Sequence, residues 1–385
     1  MAKKFEVNRA FVRGLVEAMG SDDDASVTLV DDPKPPDVIP TGSLDLDRAL
    51  KIGGWPRGYI SILHSGESLG KTSIMLAAVR ECQKLGGIPV YVDMERKVDL
   101  VYAASIGVDT GRMPLVRPKS IEAGFRRLNK YANLIDKEAN GAPILFVWDS
   151  LHAGETEALA EQWDFSAGAY GPQAKVYSED IRRFLRQIDD KRIVFLASSQ
   201  RRVKIDPASH GADKVGVGAA SLHHATIIVR LRKAASIDTD SRTGKVVRAT
   251  VVKNQMAGEG PQANLDVLNG IGVDYPGSVL YAAEAVGLAV PDKEGRKKTG
   301  WLCVVIPGGE AKLRISGMAQ FAKEHPERFD ALVAAVRERF GTKADAGVVV
   351  DDDAPVVERE DPDEDTSRPT LPIRGLPPST RRKSR

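Results

Sequence analysis

The sequence predicts an α/β fold built on a mostly parallel, twisted sheet with helices on both faces. Short apolar runs alternate with amphipathic helical stretches through the centre of the chain; the runs are YISILH, GIPVYVD, APILFVWD, KRIVFLASSQ, ATIIVRLR and VVRATVVK. Continuous apolar strands that are separated by helices are typical of a parallel sheet covered on both faces. The last two runs follow each other closely, which favours antiparallel pairing at that end of the sheet.

Smaller segments flank this core. Residues 1–33 combine helically spaced apolar positions with the strand-like stretch SVTLV and are predicted to form a small helix-strand arm. The core is assigned residues 34–269, and residues 270–341, with helices around a short basic hairpin, are predicted to form a second, smaller α+β domain. Residues 342–385 are rich in proline and charge and poor in large apolar groups, so we expect a disordered tail, acidic first and basic at its end.

The composition argues against several classes of protein. With 385 residues, 42% hydrophobic and 28% charged, the chain is typical of globular proteins, and no apolar run approaches the ~20 residues of a membrane span. The amino terminus lacks the apolar stretch of a secretory signal, so we expect a cytoplasmic protein without a membrane partner. Two distant cysteines suggest neither a disulfide framework nor a zinc site. A net charge of +2 neither indicates nor excludes binding to nucleic acid, so evidence for such binding has to come from local clusters of basic residues.

The stretch HSGESLGKTS, residues 64–73, is close to a phosphate-binding loop, with Ser65 in the place of the usual first glycine. Such a loop aims backbone N–H groups at the anion, while Lys71 would reach the terminal phosphates and the hydroxyl of Thr72 would ligate magnesium. An apolar strand before the loop and a helical stretch after it supply the required context. The alternative is a surface turn with a chance match. The predicted nucleotide contacts are Ser65, Gly66, Glu67, Ser68, Leu69, Gly70, Lys71, Thr72 and Ser73.

Two carboxylates stand at the ends of neighbouring apolar runs. Asp149 ends APILFVWD, where it could hold magnesium through water, although a strand-end aspartate can also cap a turn. Glu95 follows GIPVYVD, on the rim of the sheet where the phosphate-binding loop is expected, and could orient an attacking water. A solvated loop acid is the alternative for Glu95.

Three longer stretches together resemble the bacterial RecA recombinase family: IPTGSLDLDRALKIGGWPRGYISILHSGESLGKTS, VYVDMERKVDLVYAASIGVD and VVKNQMAG. The resemblance covers roughly residues 7–341 and leaves out the tail. It implies a RecA-like P-loop ATPase core with ATP and Mg²⁺ as cofactors, an arm that serves oligomerisation, and a helical filament of many copies. The expected partners are single-stranded DNA, double-stranded DNA, and a loader or single-strand-binding protein. Several departures from cellular members suggest a divergent, phage-encoded member.

The resemblance also implies roles for single residues in hydrolysis. Glu95 would activate water, and Asp149 would support the metal beside Thr72. Asp99 and Tyr102 match the pair that meets adenine, with Tyr102 stacking on the base.

Two further residues match the family at a distance from the loop. Gln200 matches a glutamine that senses the terminal phosphate and passes the signal to the adjoining DNA-binding loop; a strand-end polar cap is the alternative. Lys253 matches one of two lysines that reach the neighbouring subunit's ATP, whereas Gln255 replaces the second. The residues predicted to take part in hydrolysis are thus Lys71, Glu95, Gln200 and Lys253.

Basic segments are predicted to contact DNA. The family's first DNA loop would lie near WDFSAGAYGPQAK, its second is RRVKIDPASHGADKVGVG after the sensor glutamine, and the hairpin GRKKTG would collect duplex DNA. Solvated surface charge is the alternative for the second loop and the hairpin, whereas the aromatic residues of the first loop, Trp163, Phe165 and Tyr170, could equally anchor it to the core. The predicted DNA contacts are Tyr170, Lys175, Arg182, Arg183, Arg201, Arg202, Lys204, Lys214, Arg296, Lys297 and Lys298.

The leading interpretation is an ATP-dependent, single-stranded-DNA-binding recombinase that pairs homologous DNA and exchanges strands in recombination and repair. One alternative is a scaffold filament that binds ATP and coats DNA with little hydrolysis, suggested by Ser65, Leu69 and Gln255. A second is a ring helicase of the same fold, which would normally carry an arginine finger and a separate unwinding domain.

Overall fold

The computed structural model describes residues 9–19, 36–138, 141–160, 171–200, 224–239, 241–294 and 297–340. The chain separates into two compact units, Met1–Asp37 and Val38–Arg385. In the first unit, the described residues 9–19 form one helix. The predicted strand SVTLV of the arm and the predicted tail, residues 342–385, lie outside the described residues.

Strands and helices follow each other in the order that the apolar runs predict. The strands are β1 Val38–Ile39, β2 Trp55–Pro56, β3 Ile60–Ser65, β4 Ile88–Asp93, β5 Leu115–Val116, β6 Ile144–Asp149, β7 Ile193–Gln200, β8 Ile227–Asp238, β9 Thr243–Asn254, β10 Gln262–Leu268, β11 Gly272–Val273, β12 Ala289–Glu294, β13 Lys297–Ile306 and β14 Gly309–Leu313. The α-helices are α1 Arg9–Met19, α2 Leu44–Ala49, α3 Lys71–Lys84, α4 Leu100–Ser105, α5 Ile121–Glu138, α6 Glu157–Ala160, α7 Gly171–Asp190, α8 Tyr275–Ala285, α9 Met318–Glu324 and α10 Pro326–Arg337.

One large sheet forms the centre of the second unit. Its strand order is β11-β10-β9-β8-β3-β7-β6-β4-β5, with parallel pairing from β8 through β5 and antiparallel pairing from β8 through β11. The prediction of a mostly parallel α/β sheet with an antiparallel end is therefore confirmed. Parallel strands are buried on both faces, which explains why their sequences read as continuous apolar runs.

Alternate residues of the central strands build two separate cores. On one face, residues such as Leu63 and Val147 pack with Ile74 of α3. On the other, their neighbours Ile62 and Trp148 pack with α5 and α7. Aromatic rings fill much of this second core: Phe125, Trp148, Tyr177, Phe184 and Phe195. Because successive side chains of a strand point to opposite faces, each central strand contributes residues to both cores.

A third core joins the carboxyl-terminal elements. The three-stranded sheet β12-β13-β14 packs with α8, α9 and α10. Leu44 of α2 is buried in the same cluster, and its backbone N–H donates to the Ser278 hydroxyl at 2.9 Å. These contacts attach α2 to the region that the sequence assigns to the second domain; the predicted domain boundaries stay a prediction.

Within the described parts of the chain, no helix combines the length and the apolar character that crossing a bilayer requires.

A buried acid lies where α2 meets this region. Asp47 is 1% exposed, and its Oδ1 accepts a 2.8 Å hydrogen bond from the Thr41 N–H. Burial raises the pKa of Asp47 from 3.8 to about 7, against the smaller opposing effects of the Thr41 hydrogen bond and of Arg337. Because the folded-state pKa lies above the unfolded-state value, the folded chain binds this proton more tightly, and stability falls as pH rises through this range.

We predict that wild-type stability declines between about pH 4 and pH 7 through Asp47, by a total of about 4 kcal/mol. Asp47→Asn should remove this part of the decline, because an amide has no proton to lose in that range. Thermal unfolding midpoints measured from pH 5 to 8 check the slope. Asp330→Asn, at an exposed position of α10, is the control and should keep the wild-type slope. Parallel curves for wild type and Asp47→Asn would contradict the prediction.

Candidate active site

The polar residues of the site gather where the central parallel strands end. In the register of the sheet, Ser65 of β3 pairs with Gln200 of β7, and Asp93 of β4 pairs with Asp149 of β6. Parallel neighbours end at the same edge, and this edge is where ligands bind in open α/β sheets. The strand order therefore brings together segments that are far apart in the sequence.

The phosphate-binding segment leads from β3 into α3. Gly70 is the N-cap of α3, adopts the left-handed conformation with φ +80°, and no side chain caps the helix. A Cβ atom on Gly70 would also lie 3.1 Å from Cγ1 of Val267, so a larger residue would meet both strain and crowding. The amino-terminal N–H groups of α3 thus lack a side-chain acceptor, which is the arrangement that binds an anion.

Lys71 is folded into the loop. Its Nζ donates to the Ser65 hydroxyl at 3.0 Å and to the Gly66 carbonyl at 2.7 Å. Burial lowers the pKa of Lys71, and the negative charges of Asp149, Glu95 and Glu67 act in the opposite direction. Ser65, which replaces a glycine of the usual pattern, therefore contributes a direct contact to the lysine.

The Asp149 carboxylate accepts hydrogen bonds from three hydroxyl groups. Oδ2 accepts from Thr72 at 2.9 Å and from Tyr91 at 2.8 Å, and Oδ1 accepts from Ser198 at 2.6 Å. Burial, together with the neighbouring Asp149 charge, raises the pKa of Tyr91 well above its ordinary value, so Tyr91 acts here as a neutral donor. The predicted pairing of Thr72 with Asp149 is present in the geometry, whereas Tyr91 and Ser198 were not predicted.

Glu95 and Gln200 are in direct contact. Oε1 of Glu95 accepts from Nε2 of Gln200 at 3.0 Å and from the Ser150 hydroxyl at 2.7 Å, while Oε2 accepts from Lys97 at 3.2 Å. Burial alone would raise the pKa of Glu95, but the hydrogen bonds from Ser150 and Lys97 outweigh it and the pKa lies below the ordinary value. Glu95 is therefore ionised at neutral pH and linked to the end of β7.

The residues predicted to meet adenine lie at the start of α4. Asp99 is the N-cap of this helix, and its Oδ1 accepts from the N–H groups of Val101 and Tyr102. The Tyr102 hydroxyl is 2.7 Å from the hydroxyl of Ser73 on α3, so either group can be the donor. Tyr102 thus lies beside the loop helix; its contact with a base stays a prediction.

Lys253 lies apart from the phosphate-binding loop of its own chain. Ile62 of β3 pairs with Ile228 of β8, and Ile228 pairs with Lys253 of β9. Lys253 is therefore two strands away from β3 and level with a residue three positions before Ser65, which places it roughly 10 Å below the loop along the strand and a similar distance across the sheet.

Most predicted DNA contacts fall outside what the structure describes. Tyr170, Arg201, Arg202, Lys204, Lys214 and Arg296 lie outside the described residues, as do the side chains of Lys175, Lys297 and Lys298. Arg182 and Arg183 are exposed on α7, where Arg183 forms an ion pair with Asp180 at 3.8 Å.

The donor set suits a nucleotide with magnesium better than a metal held by the protein alone. In the described residues no group of three or more His, Cys, Asp or Glu side chains could hold a metal ion. Magnesium in nucleotide sites typically takes one hydroxyl, water and phosphate oxygens, with a carboxylate in support. Thr72 and Asp149 provide those groups, and Lys71 with the uncapped helix provides positive potential for phosphate.

Comparison with known proteins gives the family. The profile of the RecA N-terminal domain matches residues 5–274. The chain belongs to the RecA family. It is 30% identical over 372 residues to Protein RecA of Lactobacillus johnsonii, covering 96% of this chain and 93% of that protein. Protein RecA of Gluconacetobacter polyoxogenes is 30% identical over 350 residues, which cover 90% and 93%. Protein RecA of Zymomonas mobilis subsp. mobilis is 31% identical over 344 residues, which cover 88% and 90%. The predicted family is confirmed; the phage origin stays a prediction.

We predict that Tyr91→Phe lowers the free energy of unfolding of the nucleotide-free chain by about 1 to 2 kcal/mol, because a buried carboxylate loses one of its donors. Chemical denaturation measures the change. Tyr59→Phe removes a hydroxyl from a tyrosine that is 39% exposed and should have little effect. Equal stability of the two variants would show that Asp149 does not depend on Tyr91.

Proposed function

We propose that this chain is a DNA-dependent ATPase that assembles on single-stranded DNA and catalyses homologous pairing and strand exchange. Family membership supports the recombinase assignment, since relatives named Protein RecA match nearly the whole chain. The observation that carries the ATPase assignment is the grouping of Lys71, Thr72 with Asp149, and Glu95 with Gln200 at one edge of the sheet.

ATP with Mg²⁺ would supply the phosphoryl group and the cation that offsets its charge. Lys71 contributes a positive charge inside the loop, and the amino terminus of α3 contributes uncapped N–H groups. Thr72 would contribute its hydroxyl to the metal, and its hydrogen bond to Asp149 holds the side chain. Glu95 is ionised, and hydrogen bonds from Ser150 and Lys97 hold its carboxylate from two sides, which supports a role in orienting a water.

Gln200 is suited to couple nucleotide to DNA. Its side chain bonds to Glu95, and its backbone N–H donates to Nδ1 of His152 at 3.0 Å. Gln200 is the last residue of β7, directly before the basic segment that contains Arg201 and Lys204. Breaking or forming the Gln200–Glu95 hydrogen bond would therefore change the position of the start of the segment predicted to bind DNA.

The position of Lys253 supports a filament with shared active sites. The backbone of Lys253 lies roughly 10 Å or more from its own phosphate-binding loop, so its side chain is better placed to serve a neighbouring copy. Gln255 in the place of a second lysine would leave one cation per interface. The scaffold and ring-helicase alternatives have no comparable support, because the residues expected for hydrolysis are present and the relatives named Protein RecA match nearly the whole chain.

The remaining assignments follow the same proposal. An arm over residues 1–33 would serve oligomerisation, residues 34–269 would form the ATPase core, and residues 270–341 would bind duplex DNA through Arg296, Lys297 and Lys298. The acidic tail would compete with DNA phosphates for basic surfaces. A cytoplasmic location and a loader or single-strand-binding partner belong to this proposal as well.

We predict that Gln200→Ala binds ATP with near wild-type affinity but loses the ATP-dependent rise in affinity for single-stranded DNA. The physical reason is that alanine cannot bond to Glu95 or to a phosphate. DNA-binding isotherms with and without ATP, beside nucleotide-binding isotherms, test this. Gln320→Ala removes an exposed amide from α9 and serves as the control. If ATP still strengthens DNA binding in Gln200→Ala as in wild type, Gln200 is not the coupling residue.

We predict that Lys71→Ala and Lys253→Ala each suppress DNA-stimulated phosphate release, and that mixing the two variants restores part of it. In a mixed filament, a Lys71→Ala subunit provides Lys253, and its Lys253→Ala neighbour provides an intact phosphate-binding loop. Phosphate release is followed over a series of mixing ratios, with co-assembly monitored by electron microscopy.

The control series uses Lys323→Ala, which removes an exposed lysine of α9, in place of Lys253→Ala. This variant should hydrolyse ATP without being mixed with another variant. Absence of any restoration in co-assembled filaments would place Lys253 outside a shared site. Hydrolysis by Lys71→Ala within a few-fold of wild type would remove the phosphate-loop assignment itself.

A further inference from the structure

A lysine from the antiparallel end of the sheet contacts the phosphate-binding loop. The ammonium group of Lys245 on β9 donates a hydrogen bond to the backbone carbonyl of Ser68. The two residues are 177 positions apart in the sequence, and none of the loop patterns includes a residue of β9. The contact gives the loop a support that does not come from β3 or α3.

The pairing of β9 with β10 fixes where Lys245 stands. Lys245 pairs with Val267, and Gly244 pairs with Leu268. Gly244 allows a close approach, because a Cβ atom there would lie 2.3 Å from the carbonyl oxygen of Val267. Val267 also lies against Gly70 of the loop, so the same stretch of β10 contacts the loop and positions the lysine that braces it.

The contact determines which way one peptide group of the loop faces. Ser68 is a non-glycine residue with φ +54°, in the left-handed region that such residues rarely adopt. The peptide between Ser68 and Leu69 is planar and trans, so its carbonyl and its N–H point in opposite directions. With the carbonyl directed to Lys245, the N–H of Leu69 faces the other side of the loop. Alternation of left-handed and ordinary residues in this way forms an anion-binding concavity of N–H groups.

We propose that Lys245 is a positioning residue for phosphate binding, which holds the Ser68 carbonyl so that the Leu69 N–H faces the bound phosphates. The inference rests on the proposed nucleotide-binding function and adds a residue that the family motifs do not include. Lys245 acts through the backbone of the loop and not by touching the nucleotide. This role of the backbone also explains why the loop tolerates the bulky side chain of Leu69, because only the backbone N–H of this residue is required.

Lys233 provides a matched control. It lines the same cavity of about 420 Å³ as Lys245, together with Glu67, Ser68, Leu69, Gly244 and Asn269. Lys233→Met and Lys245→Met remove the same charge from the same surface, so a general loss of positive potential would affect both alike. Lys245→Arg keeps a donor that can reach the carbonyl and tests for rescue.

The first measurement is hydrogen exchange of residues 66–70 in the nucleotide-free full chain, followed by mass spectrometry. We expect Lys245→Met to raise exchange in this segment at least about fivefold, and Lys233→Met and Lys245→Arg to stay close to wild type. The second is equilibrium binding of a fluorescent ADP analogue without DNA. We expect affinity to fall about five- to tenfold in Lys245→Met, with near wild-type affinity in the other two variants.

Equal exchange in Lys245→Met and wild type would overturn the inference, as would equal losses of affinity in Lys245→Met and Lys233→Met. A wild-type chain that binds no nucleotide would instead overturn the proposed function, and this outcome is visible in the same titration before any variant is compared. Hydrogen exchange is measured without nucleotide, so its result does not depend on whether the chain binds nucleotide.

Discussion

The hydrogen bonding of the buried Asp149 carboxylate is the constraint on which the site depends. A carboxylate taken out of water is costly unless several donors compensate it. Here three hydroxyl groups do so, from Thr72 on α3, Tyr91 on β4 and Ser198 on β7. Each donor belongs to a different element, so the carboxylate ties the loop helix to two strands of the sheet. The position of the Thr72 hydroxyl, the proposed magnesium ligand, thus depends on the packing of the sheet edge.

The same edge links the remaining polar groups into pairs. Lys71 is held by Ser65 and by the Gly66 carbonyl, and Glu95 is held by Ser150 and Gln200. The first set of contacts joins α3 to the end of β3, and the second links the ends of β4, β6 and β7, which the parallel order places side by side. A displacement of β7 relative to β4 would therefore break the hydrogen bond between Gln200 and Glu95.

The sequence predicts the layers of the fold well because each depends on local pattern. The runs before Asp149 and Gln200 read as apolar strands, and the loop before Lys71 follows a spacing that chemistry requires. Tyr91 escapes prediction because it lies inside an apolar run, where an aromatic residue reads as core and its hydroxyl partner depends on strand order. Asp47 escapes prediction for the opposite reason. The stretch DLDRAL is typical of an exposed helical turn, yet Asp47 is buried in α2, a helix that also contacts a region more than two hundred residues away through Leu44 and Ser278.

The antiparallel end of the sheet connects the phosphate-binding loop to the carboxyl-terminal region. Arg242, just before β9, donates to Asp266 of β10 at 3.0 Å and to Asp274, the N-cap of α8, at 2.7 Å. Burial raises the pKa of both acids, and Arg242 acts in the opposite direction. Three residues further along β9, Lys245 bonds to the loop carbonyl of Ser68. Removing Arg242 would leave two buried acids without their shared cation, which is strongly unfavourable. The start of β9 is therefore held by two contacts, and the three-residue step from Arg242 to Lys245 connects the ion pair at the N-cap of α8 to the hydrogen bond on the loop that would hold phosphate.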